Sequence, residues 1–129
     1  MEIEHIALWT RDLEGLRTFY ETFFGAKAGS KYTNPGKGFE SFFLSFSSGA
    51  RLELMRVTGL KGTSGEGESP REGCAHLAIS VGSEERVDEL TALLRREGVP
   101  VVDGPRRTGD GYYESCVLDP DGNRIEITV

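Results

Sequence analysis

Residues 3–9, IEHIALW, form a short apolar run of strand length, after which the spacing of apolar positions changes to that of a helix. Leu13, Leu16, Phe19/Tyr20 and Phe23/Phe24 recur at intervals that place them on one helical face. Asp12, just before them, can accept from the free N–H groups of a first turn, and Gly25, just after, can take the left-handed conformation that ends a helix. A strand near residues 26–33, a second in FESFFLSFSSG and a third in ARLELMRV follow, so the first half is predicted to run β-α-β-β-β.

Residues 58–73, TGLKGTSGEGESPREG, hold five glycines and a proline with almost no apolar residue, and are predicted to be a linker. The pattern then starts again. CAHLAISV is a strand, and Ser83 caps a helix whose Val87, Leu90, Leu93 and Leu94 share a face. Glu84 and Glu85 suit its N-terminal dipole, Arg95 and Arg96 its C-terminal dipole, and Gly98 closes it. The run VPVVDGP, the strand YYESCVLD, the turn DPDGN and the strand RIEITV complete a second β-α-β-β-β. The chain's two histidines, His5 and His76, open the near-identical HIAL and HLAI, 71 positions apart. At about that shift strand matches strand and helix matches helix, which an internal duplication explains. The expected organisation is a module over about 1–57, a linker over about 58–73 and a module over about 74–129.

A chain of 129 residues suffices for one domain built of two small halves. Its net charge of −6 argues against a nucleic-acid partner, which would be held by Lys and Arg neutralising phosphates. No apolar stretch is long enough to span a bilayer and the amino terminus lacks a secretory pattern, so a cytoplasmic protein without membrane contact is expected. In that compartment Cys74 and Cys116, both in strand-like runs, are expected to be buried thiols without a disulfide.

Each half also ends in a strand with a carboxylate between apolar residues, Glu53 in RLELM and Glu126 in RIEIT. His5 to Glu53 is 48 positions and His76 to Glu126 is 50, a difference one loop insertion absorbs. Alternation along a strand puts each carboxylate on the face opposite its apolar neighbours. Two imidazoles and two carboxylates form a set suited to one divalent transition metal: Zn, Ni, Co, Mn or Fe. Taken singly, a strand histidine or glutamate is most often an ordinary packed or solvated residue; repetition in both halves is what favours the ligand reading. DPDGN superficially matches the start of a calcium loop, but the ligand pattern does not continue and a turn is the better reading.

With these pieces assembled, the chain resembles the vicinal oxygen chelate superfamily (glyoxalase/bleomycin resistance/dioxygenase), and within it the small bacterial glyoxalase I, or lactoylglutathione lyase, type. The likeness rests on His5 followed by RDLEGLRTFYETFFGAK, on the LEL strand with Glu53, on HLAISV with His76 and on DPDGNRIEI with Glu126, and it spans essentially the whole chain. It implies an α+β fold, a single domain of two β-α-β-β-β modules forming open, incomplete mixed-sheet barrels. His5, Glu53, His76 and Glu126 match the family's four metal ligands. The implied activity is a metal-dependent lyase or isomerase that moves a proton between adjacent carbons of a hemithioacetal, or of a related α-oxygenated carbonyl compound, through an enediolate. Glu126 is the preferred base and Glu53 the second choice.

Trp9 stands where bacterial glyoxalases commonly carry an arginine for the glutathione carboxylate, and Val57 where they carry an asparagine, which argues against glutathione as the thiol. Arg51 and Met55 share a face with Glu53, and Trp9 with His5, so these three are candidate substrate contacts, with Tyr112 and Tyr113 at the rim. Arg11, Arg56, Arg106 and Arg107 are further candidates for an anion site. The competing reading is a binding module of the bleomycin-sequestering type, or another enzyme of the superfamily such as an epimerase. Open sheet edges and the resemblance together imply a homodimer whose sites are shared between chains.

Overall fold

The computed structural model describes residues 1–61 and 73–129, and most of the predicted linker lies outside the described residues. The chain divides into two compact units within that undescribed stretch. In the first, β1 (His5–Trp9) leads to α1 (Leu13–Phe24), then β2 (Lys27–Ala28), β3 (Tyr32–Asn34), β4 (Phe39–Ser45) and β5 (Arg51–Val57). In the second, β6 (Leu77–Ser80) leads to α2 (Glu84–Arg96), then β7 (Val101–Arg107), β8 (Tyr113–Leu118) and β9 (Arg124–Thr128).

The two units have the same topology. β1 lies parallel to β5, which pairs antiparallel with β4, whose other edge carries β2 and β3. β6 lies parallel to β9, followed by antiparallel β8 and β7. Both sheets are open. The strand expected near 26–33 is two short pieces along one edge of β4, separated by Gly29, Ser30 and Lys31.

Local sequence sets the helix ends. The Asp12 side chain accepts from the Gly15 N–H, and Gly25 turns left-handed at φ 64° while its N–H donates to the Tyr20 carbonyl. The Ser83 side chain accepts from the Arg86 N–H. Leu13, Leu16, Phe19 and Tyr20 of α1 are buried with Phe42, Leu44, Leu52 and Leu54 of β4 and β5. In the second unit Val87 and Leu94 are buried with Val117, Ile125 and Ile127. Leu90 and Leu93 are only half-buried, and Thr91 takes the innermost place between them. Its hydroxyl donates to the Val87 carbonyl at 2.6 Å and lies 2.6 Å from the Ser115 hydroxyl.

Three expectations need correction. His76 precedes β6 rather than lying within it. Cys74, expected in the core, is exposed, since residues 73–75 pair with no strand among the described residues, whereas Cys116 is buried on central β8. Tyr113, expected at the rim of the site, alternates onto the helix side of β8 and donates its hydroxyl to Asp88 of α2 at 2.7 Å. That bond pushes the Tyr113 hydroxyl up from the ordinary tyrosine range.

Edge strand β7 is irregular, with register shifts between Val101 and Asp103 and between Asp103 and Arg106. Gly104 makes this possible: its φ is 73°, and a Cβ there would meet the Glu114 carbonyl at 2.5 Å.

Candidate functional site

In each unit the helix covers one sheet face, and the polar strand residues stand on the other. Across the parallel pair β1–β5, His5 is the Cα partner of Arg51, Ala7 of Glu53 and Trp9 of Met55. Across β6–β9, Ala78 is the partner of Glu126. Both units therefore set an alanine opposite the carboxylate and a histidine two residues earlier on the same face. The small Ala side chain leaves the imidazole free to lean toward the carboxylate. His5 Nε2 lies 3.8 Å from Glu53 Oε2, and His76 Nε2 lies 3.1 Å from Glu126 Oε2.

The carboxylates are sheltered, with side-chain exposures of 15% for Glu53 and 23% for Glu126. Among the described residues neither is ion-paired to a lysine or arginine. A sheltered carboxylate answered only by an imidazole nitrogen can supply part of a cation site, and the donor types suit a divalent transition metal. Each unit presents such a pair; among the described residues, neither unit by itself gathers three or more His, Cys, Asp or Glu side chains into a metal-binding group.

The first pair is held by contacts that only the fold reveals. Glu4 bonds His5 Nδ1 and also the Arg51 guanidinium, and these hydrogen bonds, that to His5 first, hold its carboxyl below the usual range. Arg51 lies over the Phe43 ring at 4.1 Å from its centroid, and Phe43 meets His5 edge to face at 5.2 Å. Glu4, His5, Phe43 and Arg51 thus close a ring of contacts that engages Nδ1 and leaves Nε2 facing Glu53. Sequence reading missed Glu4 and Phe43. The only signal for Glu4 was its adjacency to His5, and Phe43 is identified solely by its pairing with Glu53 across β4–β5.

Around the second pair the surroundings are ionic. Cys116 is the cross-strand partner of Glu126, and burial pushes its thiol up. Glu114 shares that face, and burial first, then the Glu126 charge, raises its carboxyl above the usual range. Arg106, its partner on β7, opposes that rise and is itself bound to Asp103 at 2.6 Å.

Of the other candidates, Trp9 and Met55 are partners on the His5 face, while Tyr112 is exposed in the loop before β8, outside any strand pairing. Arg107 turns to Glu84 of α2. Arg11 and Arg56 line a surface pocket of about 310 Å³ with Val57, Thr58, Gly59 and Leu60, at the end of β5 away from Arg51. Arg56 is occupied there by Glu40 at 2.8 Å, and the pocket includes neither His5 nor Glu53.

A fold of two like-ordered sheets, each with a His–Glu pair on the face its helix leaves free, is matched by one family model over residues 2–127: Glyoxalase/Bleomycin resistance protein/Dioxygenase superfamily. The chain belongs to this superfamily. The uncharacterized protein YwbC of Bacillus subtilis is 27% identical over 125 residues, covering 97% of this chain and 94% of that protein. Among solved structures, the trypanothione-dependent glyoxalase I of Leishmania major is 27% identical with a TM-score of 0.78, over 99% of this chain and 86% of that one. A possible glyoxalase from Bacillus cereus is 26% identical with a TM-score of 0.72, over 100% and 99%. The α+β fold of this chain is that of the superfamily, and its structural neighbours include glyoxalase I. No helix among the described residues is long and apolar enough to cross a membrane.

Proposed function

We propose that this protein is a metal-dependent lyase or isomerase of the glyoxalase I type, acting on a hemithioacetal or a related compound with oxygens on adjacent carbons. The observation that carries the reading is the repeated His–Glu pair, with the same alanine opposite each carboxylate. His5 and His76 would give imidazole nitrogens to a divalent transition metal, and Glu53 and Glu126 carboxylate oxygens. When bound, the metal would supply Lewis-acid polarisation of the substrate's oxygens.

Glu126 serves as the base, taking a proton from one carbon and returning it to the next. It is the more exposed of the two carboxylates, with 23% of its side chain accessible against 15% for Glu53. The complete site forms in a homodimer, the His5–Glu53 pair coming from one chain and the His76–Glu126 pair from its partner.

Elemental analysis of protein purified without a histidine tag tests this reading. About one divalent transition metal per chain is expected, with loss in His5→Ala and in His76→Ala. Glu126→Gln should fold and lose about 10²–10⁴-fold in turnover. Unchanged metal content in both histidine variants refutes the four-ligand site.

A further inference from the structure

The face that carries His5 and Glu53 continues into a group of rings. Met55 and its partner Trp9 follow Glu53 and Ala7 by one same-face step, a distance of about 6.6 Å along a strand. The next strand contributes Phe39, whose ring meets the Trp9 ring at 6.2 Å and 85°. Tyr32 pairs with Ser41 on the same face, and its ring lies 6.0 Å from that of Phe39. The three rings form a continuous row, yet Trp9 is 50% and Tyr32 54% exposed, so large aromatic surfaces remain for a ligand.

Charge limits what that ligand is. Arg51, the cation nearest His5 on this face, is already neutralised by Glu4 and stacked on Phe43. The same-face positions beyond Glu53 are Met55 and Val57 on β5 and Ser41 and Phe39 on β4, none of them charged. None of these four side chains offers an anionic tail a cation; of the two arginines that border Val57, Arg56 is held by Glu40 and Arg11 donates to the Leu60 carbonyl at 3.4 Å. A flat apolar group would find ring faces and a thioether.

We propose that Trp9, Phe39 and Tyr32 form an aromatic subsite that seats a flat, uncharged apolar group of the substrate, about one ring's length from the oxygens held at His5 and Glu53. The substrate class is then an aryl-bearing or similarly flat α-oxygenated carbonyl compound. The proposal rests on the metal-dependent reading for where the oxygens sit, but the subsite itself is built of this chain's rings alone.

Two hydroxamates with the same oxygen pair, acetohydroxamate and benzohydroxamate, separate the two ideas when titrated calorimetrically into metal-loaded protein. The phenyl group is expected to tighten binding about tenfold. That preference should fall below about threefold in Trp9→Ala and in Phe39→Ala and survive in Trp9→Phe. Equal binding of the two probes by the wild type, or an unchanged preference in Trp9→Ala, overturns the subsite. Failure of both hydroxamates to bind counts against the metal reading, and a metal-free measurement then decides the subsite. Trp9 is the only tryptophan, so one indole N–H signal reports on it in a ¹H–¹⁵N spectrum. A saturable shift of that signal with 2-naphthol, which has no chelating pair, supports the subsite; no shift, or the same shift in Phe39→Ala, overturns it.

Discussion

Removing the hydroxyl of Thr91 probes how the second unit holds its helix to its sheet. Thr91 is fully buried and Ser115 is 1% exposed, and their hydroxyls lie 2.6 Å apart. The Thr91 proton goes to the Val87 carbonyl, so Ser115 is left to donate to Thr91. Thr91→Val keeps the shape and strands the buried Ser115 donor, at a cost of about 1–3 kcal/mol. Ser115→Ala strands no donor, since Thr91 keeps its bond to Val87, and should cost about 0.5–1.5 kcal/mol. The double variant turns the contact apolar on both sides and should cost no more than Thr91→Val alone. The coupling between the two sites is then about 1 kcal/mol. Urea titration at unchanged slope measures it: with a slope of about 2 kcal/mol per molar, Thr91→Val should move the midpoint by roughly 0.5–1.5 M. Additive single effects, within about 0.3 kcal/mol, would refute the hydrogen-bond assignment.

Further outcomes concern the thiols, the substrate and the assembly. Native protein should react with a disulfide reagent at exposed Cys74 quickly and at Cys116 only after denaturation, because burial both covers that thiol and disfavours its thiolate; two fast equivalents would contradict this. With Trp9 and Val57 on its face, the protein should turn over the methylglyoxal–glutathione hemithioacetal weakly or not at all, and efficient metal-dependent formation of lactoylglutathione would overturn that expectation while leaving the metal site standing. Mixing His5→Ala chains with Glu126→Gln chains should restore activity, since a dimer with shared sites then has one site bearing both defects and one bearing neither; no recovery despite confirmed subunit exchange refutes sharing.

Much of this protein is determined by short-range pattern. The helix of the first unit starts at Asp12 and ends at Gly25 because capping depends on residues three or four apart, and those are visible in the chain. The duplication, the HIAL and HLAI openings and the two x-Glu-x strands are equally local. They suffice for the α+β class and for singling out His5, Glu53, His76 and Glu126.

What lies beside these residues was decided by pairing between distant segments. Ala7 meets Glu53 across 46 positions and Ala78 meets Glu126 across 48, and that register turns two isolated residues per unit into facing donors. Phe43 under Arg51, Phe39 beside Trp9 and the anchoring of His5 by Glu4 follow from the same ladders. Tyr113 and Thr91 show the reverse case. Each has a polar group that no periodicity assigns to the helix side, and each is drawn there by one partner, Asp88 or Ser115, more than twenty positions away. Alternation tells which residues share a face; only the register of neighbouring strands, set by the packing of the whole sheet on its helix, tells which side chains meet there.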